Sequence, residues 1–260
     1  QVYSFNPPAL TITNSESGVC LIQDQVDPVF TIFEGPCGGS FDVVWSYTDP
    51  CGRPISHTQV VTVQPSLPIA FVNPPPAITI SCADAIGYDP GTLDYTNNDL
   101  NACLIEGSVP GVVAGNFNEC GGNLTATWTY TDACNRTISH TQVITVSPAP
   151  PATWTDTPGP EPIDCDAADA YTAPNLSYSN GDAGVCLIEG NVPAQVTRNY
   201  DECGGTMTIF WTFTDDCNRT ITHTQIITVN PAPVADWVNP PADLDVACDA
   251  ATTFTPLPLN

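Results

Sequence analysis

The cysteines of this chain recur at a fixed step. Cys20, Cys103 and Cys186 stand 83 residues apart, as do Cys37, Cys120 and Cys203, then Cys51, Cys134 and Cys217, and finally Cys82, Cys165 and Cys248. Trp45, Trp128 and Trp211 keep the same step, and so do Arg53, Arg136 and Arg219, and His57, His140 and His223. Self-similarity at one period, with no insertion or deletion between the marks, is the signature of modules copied head to tail. It divides the 260 residues into a first module over 1–66 that lacks its first strand, a second over 67–149 and a third over 150–232. Residues 233–260 then supply the opening strand or strands of a fourth.

Four cysteines per module, an even number spread 14 to 31 residues apart with no Cys-x-x-Cys pair, predict disulfides in an oxidising compartment rather than a zinc site. The chain has four Lys plus Arg against 28 Asp plus Glu, a net charge of −24 that repels phosphate backbones and anionic lipid alike. Nucleic acid and membrane insertion are therefore not expected. No apolar run within the 260 residues reaches the ~18 residues of a membrane span, and the stretch from Gln1 is expected to be mature or internal sequence.

Within the second module Leu124, Ala126, Trp128 and Tyr130 alternate with threonines, a period of two that predicts a half-buried strand. Phe41 to Tyr47 and Met207 to Phe213 repeat the pattern. A polar turn over Thr131–Arg136 leads into a second strand over Thr137–Val146, making a hairpin. Proline-rich stretches such as Pro74-Pro75-Pro76, Pro148 to Pro151 and Pro240-Pro241 supply stiff connections at the module boundaries. A short strand is expected over Ala77–Cys82, and no helical periodicity is visible. The fold class expected is all-β: tandem immunoglobulin-like β-sandwich modules, clamped by disulfides and arranged as a rod or filament.

Cys120 and Cys134 bracket one strand, so at ~3.3 Å per residue they stand too far apart to be bonded. If strands run along the sandwich, Cys82 and Cys120 share one pole while Cys103 and Cys134 share the other. That layout predicts bonds Cys82–Cys120, Cys103–Cys134, Cys165–Cys203, Cys186–Cys217 and Cys20–Cys51. Cys37 and Cys248 are left over. They belong either to a longer array or to a subunit whose strand Asp243–Ala247 completes the next copy, with Cys248 bonded to that copy's Cys37.

The pairs Asp49 and Arg53, Asp132 and Arg136, and Asp215 and Arg219 flank the turn cysteine and are read as structural ion pairs. Each module's single histidine is read as partly covered and bonded to backbone, since one ligand per module builds no metal site. No cofactor is expected. Calcium is the one cation with any candidate ligands, at Asp164 and Asp166 with Asp169, or at Asp243 and Asp245 with Asp249, although no EF-hand spacing is present. Sequons stand at Asn123, Asn135, Asn175 and Asn218. No nucleophile–base constellation or phosphate-binding glycine loop is present, so the chain is not read as an enzyme.

The run Cys120-Gly121-Gly122-Asn123-Leu124-Thr125-Ala126-Thr127-Trp128-Thr129-Tyr130-Thr131-Asp132-Ala133-Cys134, continued by Thr141-Gln142-Val143-Ile144-Thr145-Val146, resembles the hyalin-like, immunoglobulin-type repeats of giant Bacteroidota surface adhesins, including those of gliding motility. That resemblance implies export to the cell surface and a role in adhesion or motility. The chain is accordingly expected to be the stalk or filament shaft of an extracellular bacterial adhesin, its partners being neighbouring modules or copies of itself and an unidentified surface or glycan ligand. The alternative is a self-assembling, pilus-like fibre subunit joined by strand donation. Carbohydrate-binding modules are disfavoured, because the tryptophans fall at core or linker positions rather than forming a platform.

Overall fold

The computed structural model describes residues 5–31 and 35–256, with the side chain of Ala102 left aside. The chain falls into two compact units. The first runs up to Ala149 and includes Gly184–Cys186; the second takes Pro150–Ala183 and continues from Leu187.

In the first unit, residues up to 66 form β1 (Leu10–Thr13), β2 (Gln23–Val26), β3 (Val29–Phe30), β4 (Gly39–Thr48) and β5 (Pro54–Val63). β1 and β2 make one small sheet and β3-β4-β5 another. Phe41, Val43 and Trp45, on alternate positions of β4, face Phe5, Leu10, Val26 and Phe30. The next stretch comprises β6 (Ala70–Phe71), β7 (Ile78–Ile80), helix α1 (Cys82–Ala85), β8 (Thr92–Thr96), β9 (Glu106–Pro110), β10 (Val112–Asn118), β11 (Gly121–Thr131) and β12 (Thr137–Val146). Here two sheets, β10-β11-β12-β7 and β6-β8-β9, pack around one core.

The β11–β12 hairpin runs unbroken from Gly122 opposite Val146 to Thr131 opposite Thr137, with no bulge at Val143-Ile144. Its period-two sequence therefore sorts by face: Leu124, Ala126, Trp128, Ile144 and Val146 are buried, while Val143 is exposed. The outer face carries hydroxyl pairs across the strands, the tightest being Thr131 Oγ1 to Thr137 Oγ1 at 2.8 Å. Trp128 is 1% exposed, and its indole N–H donates to the Gly91 carbonyl. An indole buried this completely needs such a partner.

The second unit repeats the plan with β13 (Thr153–Trp154), α2 (Cys165–Ala170), β14 (Leu176–Ser179), β15 (Glu189–Val192), β16 (Gln195–Asp201), β17 (Gly204–Thr214) and β18 (Thr220–Val229). Its core gathers Leu176, Met207, Ile209, Trp211 and Ile227. Where β7 lies parallel on β12, this unit has a single bridge from Ile163 to Val229.

Two expectations need correcting. The segment after each linker is not wholly extended: Ile78–Ile80 is a strand, but Cys82–Ala85 turns helical because Ser81 caps it, accepting the Asp84 N–H and donating its hydroxyl to the Asp84 carboxylate. A single turn is too short to show a 3.6-residue period. Among the described residues beyond 232 there is no strand, only α3 (Cys248–Ala251), so Asp243–Ala247 does not form the expected one. A strand needs a neighbour for its backbone groups. β7 has β12 beside it, while 243–247 has no such neighbour and is exposed.

Tyr95 faces Gly107 across β8 and β9, and a Cβ on that glycine would stand 2.6 Å from the tyrosine hydroxyl oxygen. Tyr178 and Gly190 are placed identically. Tyr95 stacks on Tyr130 at 3.8 Å between centroids, so the ring has no room to retreat. Gly107→Ala is expected to cost about 1–3 kcal/mol, seen as a lower urea midpoint at unchanged m-value. An unchanged midpoint would show that the ring is free to move.

Candidate functional site

The chemistry of this chain is concentrated at the turn between β11 and β12. Asp132 opens it: its Oδ1 accepts the backbone N–H groups of Cys134 and Arg136, each at 2.9 Å, and its Oδ2 accepts Arg136 Nε at 2.6 Å. Asn135 takes a φ of 58°, the left-handed region that Asn and Gly tolerate, and Asn218 and Gly52 do the same at their turns. Equivalent ion pairs join Arg53 to Asp49 and Arg219 to Asp215, both at 2.7 Å.

Burial alone would push the Asp132 carboxyl up. The N–H groups of Arg136 and Cys134 and the guanidinium outweigh burial and hold it below the ordinary carboxylate value. Asp215 behaves the same way. Asp49 is lowered first by the Arg53 backbone N–H.

Arg136 does more than close its own turn. Its Nη1 donates to the Ser66 carbonyl at 2.8 Å and its Nη2 to the Ser66 hydroxyl at 2.9 Å, while the Ser66 N–H donates to the Pro36 carbonyl. The planar fork thus spans two partners at once. Beside it, Cys134 is bonded to Cys37, with α-carbons 5.1 Å apart. The turn of one sequence repeat is in this way seated on the end of the preceding one by a disulfide and a bidentate arginine.

A second disulfide joins Cys82, at the start of α1, to Cys186 in the 3₁₀ turn Gly184–Cys186. Both cysteines are fully buried, and Ile86 packs against Gly184 beside them. Cys120 and Cys217 are disulfide-bonded as well. Among the described residues Cys20, Cys51, Cys103, Cys165, Cys203 and Cys248 carry free thiols.

These bonds overturn the expected pairing. Cys82 is bonded to Cys186 and not to Cys120; Cys134 is bonded to Cys37 and not to Cys103; Cys186 is therefore not bonded to Cys217. Cys165 and Cys203 are not joined, nor are Cys20 and Cys51, and Cys37 is already taken and so closed to Cys248. Cys82 Sγ does lie near the expected pole, 3.4 Å from the Asn118 carbonyl. Cys120, however, sits at the tip of a two-residue hairpin loop between the paired Asn118 and Gly121, its N–H held by Asn118 Oδ1. Restricting each module to its own four cysteines left out the bonds that form.

The histidine reading gains a companion that the sequence analysis missed. His140 Nε2 lies 2.9 Å from the Pro75 carbonyl, with its ring 5.9 Å from Trp128, and Gln142 Nε2 donates to the Pro76 carbonyl at 2.8 Å. His223 and Gln225 meet Pro158 and Gly159 in the same way. The recurring His-Thr-Gln triplet therefore tethers the proline-rich linker to β12 and β18, and its recurrence at every repeat was the available signal.

Among the described residues no three His, Cys, Asp or Glu side chains gather in a way that could hold a metal ion. Asp164 accepts Asn230 Nδ2, and Asp166 accepts the Ala167 N–H, while Asp243 and Asp245 lie in the exposed segment after residue 232. Among the described residues no helix is long and apolar enough to cross a membrane.

Residues 71–146 match the family model of the HYR-like domain with 4 cysteines, which supports a hyalin-repeat-like domain over that stretch. No curated protein matches the chain. Among solved structures, the M60 catalytic domain with the CBM51-1 and CBM51-2 domains from Clostridium perfringens ZmpB is similar at 9% identity and a TM-score of 0.21, covering 85% of this chain. The chain spans 31% of that protein's length, and a likeness this slight does not indicate a shared fold.

The lowered Asp132 pKa has a sign. The folded state binds fewer protons than the unfolded one just below the ordinary carboxylate value, so the turn's contribution is present at neutral pH and is lost as pH falls from about 4 through the lowered folded value. Asp132→Asn should lower the melting temperature at pH 7 and flatten the pH 7 to pH 2 profile. Equal slopes for the two proteins would show that this carboxylate is not the titrating group.

Proposed function

We propose that the chain is a structural repeat array, the stalk or filament shaft of an extracellular bacterial surface adhesin. The observation that carries this reading is the bonding of cysteines across the sequence period, Cys37 with Cys134 and Cys82 with Cys186, at separations of 97 and 104 residues. A bond confined to a module stiffens that module, whereas a bond from one period to the next restrains the joint between them. The Arg136 fork on Ser66 and the His and Gln tethers on the linker act in the same direction. Disulfides of this number belong to an oxidising compartment, and the hyalin-repeat-like match over 71–146 fits an extracellular adhesion-type domain. Tandem immunoglobulin-like modules, with boundaries near 66, 149 and 232, are the architecture this function uses. Attachment and gliding motility in a bacterium of the Bacteroidota type follow from the resemblance of the Cys120–Cys134 run. No enzymatic activity, cofactor or nucleic-acid partner enters the proposal, and what the shaft displays its tip to is a surface or glycan ligand.

Small-angle scattering tests the shaft. A compact globule of this length has a radius of gyration of about 18 Å. The oxidised chain should exceed that clearly and loosen further on reduction, whereas a value near that of the globule, unchanged by reductant, would contradict an extended, disulfide-braced array.

A further inference from the structure

We infer that the six free thiols are two complementary half-joints, Cys165, Cys203 and Cys248 forming one and Cys20, Cys51 and Cys103 the other, and that their partner is another four-cysteine repeat in the same registers, a second copy of this chain being able to supply it. The inference rests on the array reading and adds the bonds by which the array is extended.

The Cys37–Cys134 and Cys82–Cys186 bonds define a rule. A cysteine in the register of Cys37 bonds one 97 residues further on, in the register of Cys51, and a cysteine in the register of Cys82 bonds one 104 residues further on, in the register of Cys20. Cys120 and Cys217, both bonded, stand in the first two of these registers. Applied to Cys165, Cys203 and Cys248, the rule asks for partners beyond residue 260. Applied backwards to Cys20, Cys51 and Cys103, it asks for partners before residue 1. These six are the free cysteines. One set therefore lacks what the other offers: set a second copy three periods on, and Cys203 meets its Cys51, Cys165 its Cys20, and Cys248 its Cys103.

Three of the free thiols, Cys165, Cys203 and Cys51, stand on the same backbone turn that holds a bonded counterpart. Cys165 Sγ lies 3.6 Å from the Asp201 carbonyl, as Cys82 Sγ lies 3.4 Å from that of Asn118. The Cys203 N–H donates to Asp201 Oδ1 as that of Cys120 does to Asn118 Oδ1. The Cys51 N–H donates to Asp49 Oδ1 at 2.9 Å, matching Cys134 on Asp132. Asn14 and Asn97 hold the carbonyls of Cys20 and Cys103 identically.

In the two registers of the Cys82–Cys186 bond, Cys186 is buried where Cys20 is exposed, and Cys82 is buried where Cys248 is exposed. The Arg53 side chain is 70% exposed, against 29% for Arg136, whose fork is occupied by Ser66. The matching acceptor at the tail is the Ala232 carbonyl, on a residue whose N–H is held by Glu202 as that of Ser66 is held by Pro36.

Each bond forms by thiol–disulfide exchange. One thiolate attacks a small-molecule disulfide and releases one thiol, and the partner thiolate then displaces the second. The two protein thiols thereby lose two electrons and two protons to the oxidant, which leaves as two thiols.

The test uses the purified chain in a glutathione redox buffer, followed by non-reducing electrophoresis and mass spectrometry of the linked peptides. The expected result is a ladder of reducible multimers containing Cys203–Cys51, Cys165–Cys20 and Cys248–Cys103 peptides. Mixing a Cys165→Ser, Cys203→Ser, Cys248→Ser chain with a Cys20→Ser, Cys51→Ser, Cys103→Ser chain should stop growth at the dimer, while either variant alone stays monomeric. None of the six positions is bonded in the single chain, so the substitutions leave its fold intact. A monomer keeping six free thiols while Cys37–Cys134 and Cys82–Cys186 are intact would overturn the half-joints and leave the array reading standing. Bonds in other registers, such as Cys203 to Cys203, would overturn them too. Absence of the two internal bonds would instead sink the array reading itself.

Discussion

A sulfur bridge that leaves its own repeat governs this structure. Cys134 stands on a hairpin turn that would be only a surface feature of its sandwich, and bonding to Cys37 turns it into a joint. Closing a loop of about 100 residues restrains the unfolded chain by about 4.7 kcal/mol in the loop-entropy account. The rest of the turn serves that bond. Asp132 fixes the backbone on either side of Cys134, and Arg136, held by the same carboxylate, reaches Ser66 next to the segment that carries Cys37. The nearly complete absence of other cations fits this economy, since three of the four Lys or Arg residues of the chain are spent on these turns.

The sandwich beneath the turn is built from elementary patterning. Alternation of large apolar residues and threonines on β11 sets its two faces, and Trp128 anchors the inner one with its N–H satisfied at Gly91. The proline-rich linker brings carbonyls without matching N–H donors, and His140 and Gln142 engage two of them from the edge of β12. Core, linker and turn are thus tied to a single hairpin. That hairpin is where the sequence repeats most faithfully.

What could be read in the sequence was what depends on short-range order. The hairpin limits at Thr131 and Thr137 and the Asp132 to Arg136 spacing are both local statements, and β11 and β12 follow from them. The helix at Cys82 escaped because one turn shows no periodicity, although Ser81 and Asp84 carry a capping signature. The cysteine partners escaped for a different reason. Pole positions within one sandwich can be argued from strand lengths, but which surfaces of successive repeats meet is set by side chains such as Ile86 and Arg136, whose partners lie some seventy or more residues away in sequence. Gly107, opposite Tyr95, was equally silent until the ring was placed across it.

The most direct measurement is a disulfide map of the unreduced chain, digested under acidic conditions that block exchange. Peptides linking Cys37 to Cys134 and Cys82 to Cys186 are the predicted result. Peptides linking Cys82 to Cys120 or Cys103 to Cys134, bonds that each stay within one repeat, would contradict it and leave the repeats as separately clamped beads.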